Sequence, residues 1–379
     1  MRIALINKDF DASRGGGELY AINLAQGLVA RGHDVTLVGR SVALPGADRM
    51  GFIRVEPAPS SNARRVESFC RAVDAVLHRD EFDLVHGLTQ VYPQDIHRNG
   101  GGVFRQWELY SLPNPLVRAV VRLSPRNRVQ RALEARIYDP ANVLWVQTNS
   151  ELVKGHVIRH YGLPPERIEA IHNGVDLEAF HPRNAPAGLA VRTALGIAPD
   201  APVVLFVGNN IRRKGLAFLA RALATVPGAT GIHLVVVGHE ERRKIDRALA
   251  AHPGPKHWVG GQADVAPYYA AADVFVMPTL YDPFANVTLE ALASGVPVVT
   301  TRHNGAHEIL DDSACAGVVE TPRDVGGLAR EIDRLLASRS ADQRVRARAI
   351  ALRYPWSRNL DAVVRLYERV FAFKQGGRQ

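Results

Sequence analysis

Residues 2–39 open with Arg2-Ile-Ala-Leu-Ile-Asn7 and pass a glycine cluster at Gly15-Gly-Gly17. They run through an amphipathic segment from Glu18 to Arg31, stop at Gly32 and resume with His33-Asp-Val-Thr-Leu-Val-Gly39. Apolar run, glycine turn, helix-period segment and second apolar run predict a strand–helix–strand unit. Further runs at 82–86 and 141–148 repeat the pattern. Strands that are apolar nearly throughout, with helices between them, belong to a parallel sheet covered on both faces. The grammar restarts at Pro202: an apolar run to Gly208, a basic turn ending at Gly215, a helical stretch, and apolar runs at 232–238, 273–277 and 296–301.

The fold class is therefore α/β: two facing Rossmann-like, doubly wound parallel-sheet domains, with a helix at the C-terminus. The expected boundaries are 1–183 for an N-terminal domain and 184–354 for a C-terminal domain. Residues 355–379 form a helix that crosses back to the first domain. The Pro-rich stretch Phe180–Gly188 reads as the linker. Two facing sheets of this kind place a cleft at the carboxyl ends of their strands, where open α/β sheets bind ligands.

Composition narrows the function. With 46% hydrophobic and 22% charged residues in 379, the chain can bury two cores, which excludes disorder as its main state. No apolar run approaches the roughly 18–20 residues that cross a bilayer. The start reaches Lys8 and Asp9 at once and reads as a first strand, not a leader. Two cysteines, Cys70 and Cys315, make neither a disulfide framework nor a zinc cluster, so a reducing cytoplasm is expected. A net charge of +9 points to an anionic partner. No basic tract or nucleic-acid signature accompanies that charge, so nucleic acid is not expected.

The chemistry-bearing residues fall on the predicted loops. In Gly208-Asn-Asn-Ile-Arg-Arg-Lys-Gly215, a basic turn follows a buried strand and opens a helix, so Arg213 and Lys214 can neutralise a diphosphate. In Tyr281-Asp-Pro-Phe-Ala-Asn-Val-Thr-Leu-Glu290, Asp282 precedes a helix and Glu290 lies about one turn inside it. The first amides of that helix, on Asn286, Val287 and Thr288, are expected to point at the same space. Two carboxylates bracketing an anion-binding helix end suit a nucleotide sugar, with hydroxyls at both ends and phosphates between. Gly16 and Gly17 allow close approach of a ligand to the backbone. The dinucleotide fingerprint is absent, since Arg40 and not an acid follows the strand that ends at Gly39. Asp9-Phe-Asp11 has the spacing of metal-dependent sugar transferases but no supporting ligands, and the histidines lack zinc-site spacing, so no metal is expected.

These motifs together resemble family 4 of the retaining glycosyltransferases, which share the two-domain GT-B fold. The matching pieces are Gly16-Gly-Glu18, Ile171-His-Asn-Gly-Val-Asp-Leu-Glu-Ala-Phe180, Gly208…Arg213-Lys-Gly215, and Asp282-x7-Glu290 followed by Ala-Ser-Gly-Val-Pro-Val-Val-Thr. Within the family, residues 207–216 and 95–104 look most like glucosyltransferases of the lipopolysaccharide core. The resemblance implies that Glu290 accepts from the ribose hydroxyls and that Arg213 and Lys214 stabilise the diphosphate leaving group. It implies further that Gly16 and Gly17 admit that diphosphate and that Asp282 holds hydroxyls of the donor sugar. Such enzymes use front-face displacement and need no cofactor; the nucleoside-diphosphate sugar is itself the donor substrate.

Three departures stand out. The first acid of the family motif is usually Glu, and Asp282 is one methylene, roughly 1.5 Å, shorter. Many relatives carry Arg where Asn209 stands. Similar sequences often have an Asp and a His at the positions of Gly101 and Phe104, which implies altered acceptor recognition or slowed turnover. The segment 116–136 carries Arg118, Arg122, Arg126, Arg128, Arg131 and Arg136 among Val, Leu and Ala, as a basic amphipathic helix on anionic lipid would. The expected partners are a nucleoside-diphosphate sugar, a glycan or lipid-linked acceptor and an anionic membrane surface. The alternatives on the same scaffold are a nucleotide-sugar epimerase and a non-catalytic nucleotide-sugar-binding subunit.

Overall fold

The computed structural model describes residues 1–12, 15–60 and 64–376, which divide into two units. The first comprises residues 1–172 together with the chain from Ser357 onward, and the second comprises Asn173–Trp356.

Among the described residues nine strands belong to the first unit: β1 (Arg2–Ile6), β2 (Asp9–Asp11), β3 (Asp34–Gly39), β4 (Ser41–Ala43), β5 (Gly51–Arg54), β6 (Leu84–Gly87), β7 (Gln94–Asn99), β8 (Val143–Thr148) and β9 (Ile168–Ala170). Seven of them form one parallel sheet in the order β5-β3-β1-β6-β7-β8-β9, and β2 pairs with β4 in a small separate sheet. Ile3, Ala4, Leu5 and Ile6 of β1 are wholly buried, as a central strand covered on both faces requires. The second unit holds β10 (Val203–Val207), β11 (His233–Val237), β12 (Lys256–Gly260), β13 (Val274–Met277), β14 (Val298–Thr301) and β15 (Ala316–Val319). Their order is β12-β11-β10-β13-β14-β15, all parallel. Each unit is thus a Rossmann-like sheet whose order reverses beside its first strand.

The expected boundary at 183 falls at 172, because the intervening segment folds into the second unit. Asn173 donates to the Asn286 side chain at 2.7 Å, Val175 N–H donates to the Tyr354 carbonyl at 3.0 Å, and Phe180 packs edge-on against Tyr269. Nor is Phe180–Gly188 a linker. Pro182–Asn184 forms a 3₁₀ turn and Ala185–Ala194 a helix. Proline at the second position of that helix leaves its hydrogen bonds intact, since the amide there has no helical partner to lose. Gly188 lies so close to the backbone of Ala270 that a Cβ would meet its carbonyl carbon at 2.5 Å. Buried Arg192 then ties the helix to Asp273 at 2.9 Å and to the carbonyls of Ala198, Pro199 and Ala201.

The expected single basic helix over 116–136 is two: Pro115–Arg122, capped by Asn114, and Pro125–Ile137, capped by Ser124. Proline at position 125 starts a helix where it would have broken one. Arg131 pairs with buried Glu108 at 2.5 Å, and Arg122 approaches the same carboxylate at 3.6 Å. Glu134 is also buried, accepting from the Tyr161 hydroxyl at 2.5 Å and from Phe104 N–H at 2.7 Å. Among the described residues no helix is long and apolar enough to cross a membrane.

The helix Trp356–Gly376 completes the first unit. Val363, Leu366, Tyr367 and Val370 are fully buried, and Lys374 donates to Asp95 at 2.8 Å and to the Asp83 carbonyl at 2.9 Å. The Tyr367 hydroxyl shares a 2.7 Å hydrogen bond with His86 Nδ1 on β6. Burial first, then the charges of Arg98 and His97, hold His86 well below the usual imidazole range, so it is neutral. Tyr367→Ala should destabilise the first unit by about 3–5 kcal/mol, and Tyr367→Phe by about 1 kcal/mol. Urea unfolding of the two variants checks both the magnitude and the ratio.

Candidate active site

Beyond β10, Gly208 and Asn209 lead into a four-residue helix, Ile211–Lys214. Asn210 takes the left-handed conformation at φ 56°, and its side chain accepts from Arg213 N–H at 3.3 Å, so the basic turn carries its own cap. Gly215 sits at φ +87°, where a Cβ would come within 1.9 Å of the Pro278 carbonyl oxygen. Only glycine lets the chain turn against the end of β13. The turn is fixed there by Leu280 N–H and the Thr279 hydroxyl, which donate to the Arg213 carbonyl at 2.8 and 2.9 Å.

That contact brings the two cations to Asp282. Lys214 Nζ donates to Asp282 Oδ2 at 2.6 Å and Arg213 Nη1 at 3.3 Å, around a carboxylate only 5% exposed. Burial pushes the Asp282 carboxyl up. The charges of Lys214 and Arg213, the Lys214 hydrogen bond and the Phe284 amide more than offset it, leaving the group below the usual aspartate range and ionised. Its loop is held by Asn304, which is fully buried. The Asn304 side chain accepts from the amides of Ala285 and Ala306 and donates to the hydroxyls of Thr288 and Thr300, at 3.0–3.2 Å. Asp282 N–H donates to the His303 carbonyl at 2.9 Å, and the Asp282 carbonyl accepts from Gly305 at 2.8 Å.

Glu290 lies within the helix Asn286–Ala293, partly buried, and accepts from the hydroxyl of Tyr269 at 2.8 Å. Burial pushes its carboxyl up to about 7, against the Tyr269 hydrogen bond and the Lys214 charge, which act to lower it. The two carboxylates eight positions apart thus have opposite characters: one held ionised by cations, the other poised near neutrality. At the start of this helix the Asn286 side chain accepts from Asn173, and Val287 is half-buried. The expectation for Thr288 needs correction. Its amide donates to the Ala285 carbonyl at 2.9 Å, because the first turn is tightened, so that amide is not turned outward.

Gly16 and Gly17 belong to the first unit, in the first turn of the helix Gly16–Ala30, with open space beside the Gly17 Cα. Asp9 of β2 is buried, bonded by Ser41 at 2.9 Å and paired with Arg40. Asn209, where many relatives have Arg, accepts from His239 N–H at 2.8 Å. Gly101 faces open space, while Phe104 begins the helix Phe104–Ser111 that Glu134 caps. The sequence reading missed Asn304 and Tyr269. Asn304 gave no signal, because its four partners are scattered over residues 285–306. Tyr269 did: a tyrosine pair at 268–269, in a segment otherwise of Ala and Pro, precedes a wholly apolar strand.

The family model described as "Glycosyltransferase Family 4" matches residues 14–179, and the one described as "Glycosyl transferases group 1" matches residues 201–338. The chain belongs to glycosyltransferase family 4. The lipopolysaccharide core biosynthesis glycosyltransferase LpsE of Rhizobium meliloti is 36% identical to this family 4 enzyme over 160 residues, 41% of this chain and 46% of that relative. That match covers a little under half of each chain. In structure, the chain is similar to WaaG, a glycosyltransferase involved in lipopolysaccharide biosynthesis, with TM-score 0.82 and 22% identity over 96% of this chain and 99% of that one. It is also similar to Alr3699/HepE of Anabaena in complex with UDP-glucose, with TM-score 0.70 and 20% identity over 97% of this chain and 100% of that one. These structural likenesses establish the GT-B fold.

The ion-pair cluster makes a direct prediction for this family 4 glycosyltransferase. Lys214→Ala leaves the Asp282 charge under-compensated in a buried place and should destabilise the second unit by about 3 kcal/mol. Adding Asp282→Ala should recover part of that loss. Chemical denaturation of the two single variants and the double variant measures the coupling.

Proposed function

We propose that this glycosyltransferase moves a hexose from a nucleoside-diphosphate sugar to a hydroxyl of a glycan acceptor, of the lipopolysaccharide core or another lipid-linked saccharide. Configuration at the anomeric carbon is retained, and no metal ion takes part. The observation that carries the reading is the cluster of Arg213, Lys214, Asp282 and Glu290 around one helix start, with two cations, an ionised carboxylate and a second carboxyl near neutrality. A diphosphate offers the charge those cations match, and a ribose and a hexose offer hydroxyls for the two acids. The UDP-glucose bound in the Anabaena structure makes UDP-sugars the first donors to test.

In this reading the bond from the anomeric carbon to the diphosphate oxygen breaks as the acceptor oxygen bonds to the same face of that carbon. The acceptor proton passes to the departing phosphate oxygen. Arg213 and Lys214 stabilise the charge that grows on the diphosphate, the step where fixed cations give the largest effect. Asp282 holds the two cations and takes sugar hydroxyls, and Glu290 takes the ribose. Positioning of this kind needs no enzymic nucleophile.

Donor use should require Glu290 ionised, so apparent donor affinity should rise as pH climbs through about 7. Glu290→Ala should lower kcat/KM roughly 100-fold or more, and Arg213→Ala should lower kcat by about 10²–10³. A screen of nucleoside-diphosphate sugars, run with and without chelator across pH 5.5–8.5, tests donor, metal independence and pH response together. Wild-type turnover in Glu290→Ala sinks the reading.

A lipid-linked acceptor is supported by the helix Pro115–Arg122 and its junction. Leu116, Val120 and Leu123 are 76, 70 and 73% exposed, and Arg118, Arg122, Arg126 and Arg128 lie on the same stretch. Apolar side chains ringed by guanidinium groups suit an anionic bilayer surface, where the enzyme is proposed to work from the cytoplasmic side. The protein should co-sediment with vesicles containing phosphatidylglycerol and much less with pure phosphatidylcholine. Replacing Leu116, Val120 and Leu123 by Ser should abolish the difference.

A further inference from the structure

We infer that Tyr269 is a positioning residue for donor capture: its hydroxyl pins one carboxylate oxygen of Glu290 so that the other is presented to the ribose of the donor. The inference rests on the reading of Glu290 given above and goes beyond it by assigning a residue that touches no substrate.

Tyr269 is wholly buried in the helix Ala266–Ala271, so it acts only through its neighbours. Its ring is fixed edge-on by Phe275 of β13 and by Phe180, each with ring centroids 5.8 Å away. Phe275 comes from the sheet and Phe180 from the segment that enters the unit, so the phenol is clamped from two independent elements. Its hydroxyl then has a fixed place, 2.8 Å from Glu290 Oε2. A glutamate on a helix has three side-chain torsions. Fixing one oxygen removes most of that freedom and leaves Oε1 to accept hydroxyls.

The same bond sets the charge. Burial favours the neutral carboxyl of Glu290. A hydrogen bond donated to a carboxylate favours the ionised one, which is the form that accepts hydroxyls. The groups acting on Glu290 are Tyr269 and Lys214, from the helix before β13 and from the basic turn. Burial and the neighbouring Glu290 push the Tyr269 phenol far above its ordinary value, so it remains a donor at every working pH.

The test is a double-mutant cycle read by calorimetry, with UDP and GDP as probes from pH 5.5 to 8.5. Tyr269→Phe removes one oxygen and keeps the packing. It should weaken nucleotide binding 5- to 20-fold at pH 7 and move the pH midpoint upward, while kcat at saturating donor stays within threefold. In the Glu290→Gln background the same change should cost less than twofold. Equal losses in the two backgrounds, or an unshifted midpoint, overturn the assignment and reduce Tyr269 to a packing residue. A wild-type protein that binds neither nucleotide overturns the reading of Glu290 and this inference together.

Discussion

A carboxylate taken out of water must be matched by charge close at hand, and the second unit is organised around one such match. Asp282 is 5% exposed, with Lys214 Nζ at 2.6 Å and Arg213 Nη1 at 3.3 Å. Burial alone pushes that carboxyl up. Two cations keep it charged, and it keeps two cations on a turn that would otherwise carry them into solvent. The glycine at 215, the carbonyl of Arg213 and the buried Asn304 all serve to hold this distance. A nucleotide's phosphates would meet cations whose direction is already fixed, so little reorganisation is needed when charge moves onto the leaving group.

The second acid shows what burial does with weaker compensation. Glu290 receives one hydrogen bond from Tyr269 and a more distant charge from Lys214, and its carboxyl rises to about 7. A spacing of eight residues places both acids at one helix, yet solvent exclusion and nearby charge drive their protonation apart. Sequence spacing specifies the pair. Only the arrangement of neighbours specifies which member is charged.

Much of this was legible in the chain because its signals are local. Apolar runs gave β1, β3, β6 and β8 of the first sheet and β10, β11, β13 and β14 of the second, and Gly208 to Gly215 gave a basic turn whose last glycine the backbone geometry demands. The family motif tied Asp282 to Glu290. What escaped was non-local or ambiguous in composition. Pro182 and Pro186 suggested a linker, but proline also suits the first turn of a helix, and the contacts that settle the matter come from Tyr269, Ala270 and Asp273, some eighty residues on. Thr288 lost its outward amide to a tightened turn, a change of one hydrogen bond that no residue pattern encodes. The run 116–136 read as one basic helix, whereas Pro125 with Ser124 before it starts a second.

The helix Trp356–Gly376 has a consequence for how the chain is made. Its Val363, Leu366, Tyr367 and Val370 are fully buried in the unit whose strands begin at Arg2. The ribosome therefore makes the last piece of that unit only after the whole of the second unit. The unit spanning 173–356 is contiguous and can close while its predecessor is still missing a wall. The nascent first sheet must wait for residues 357–376 before its burial is complete.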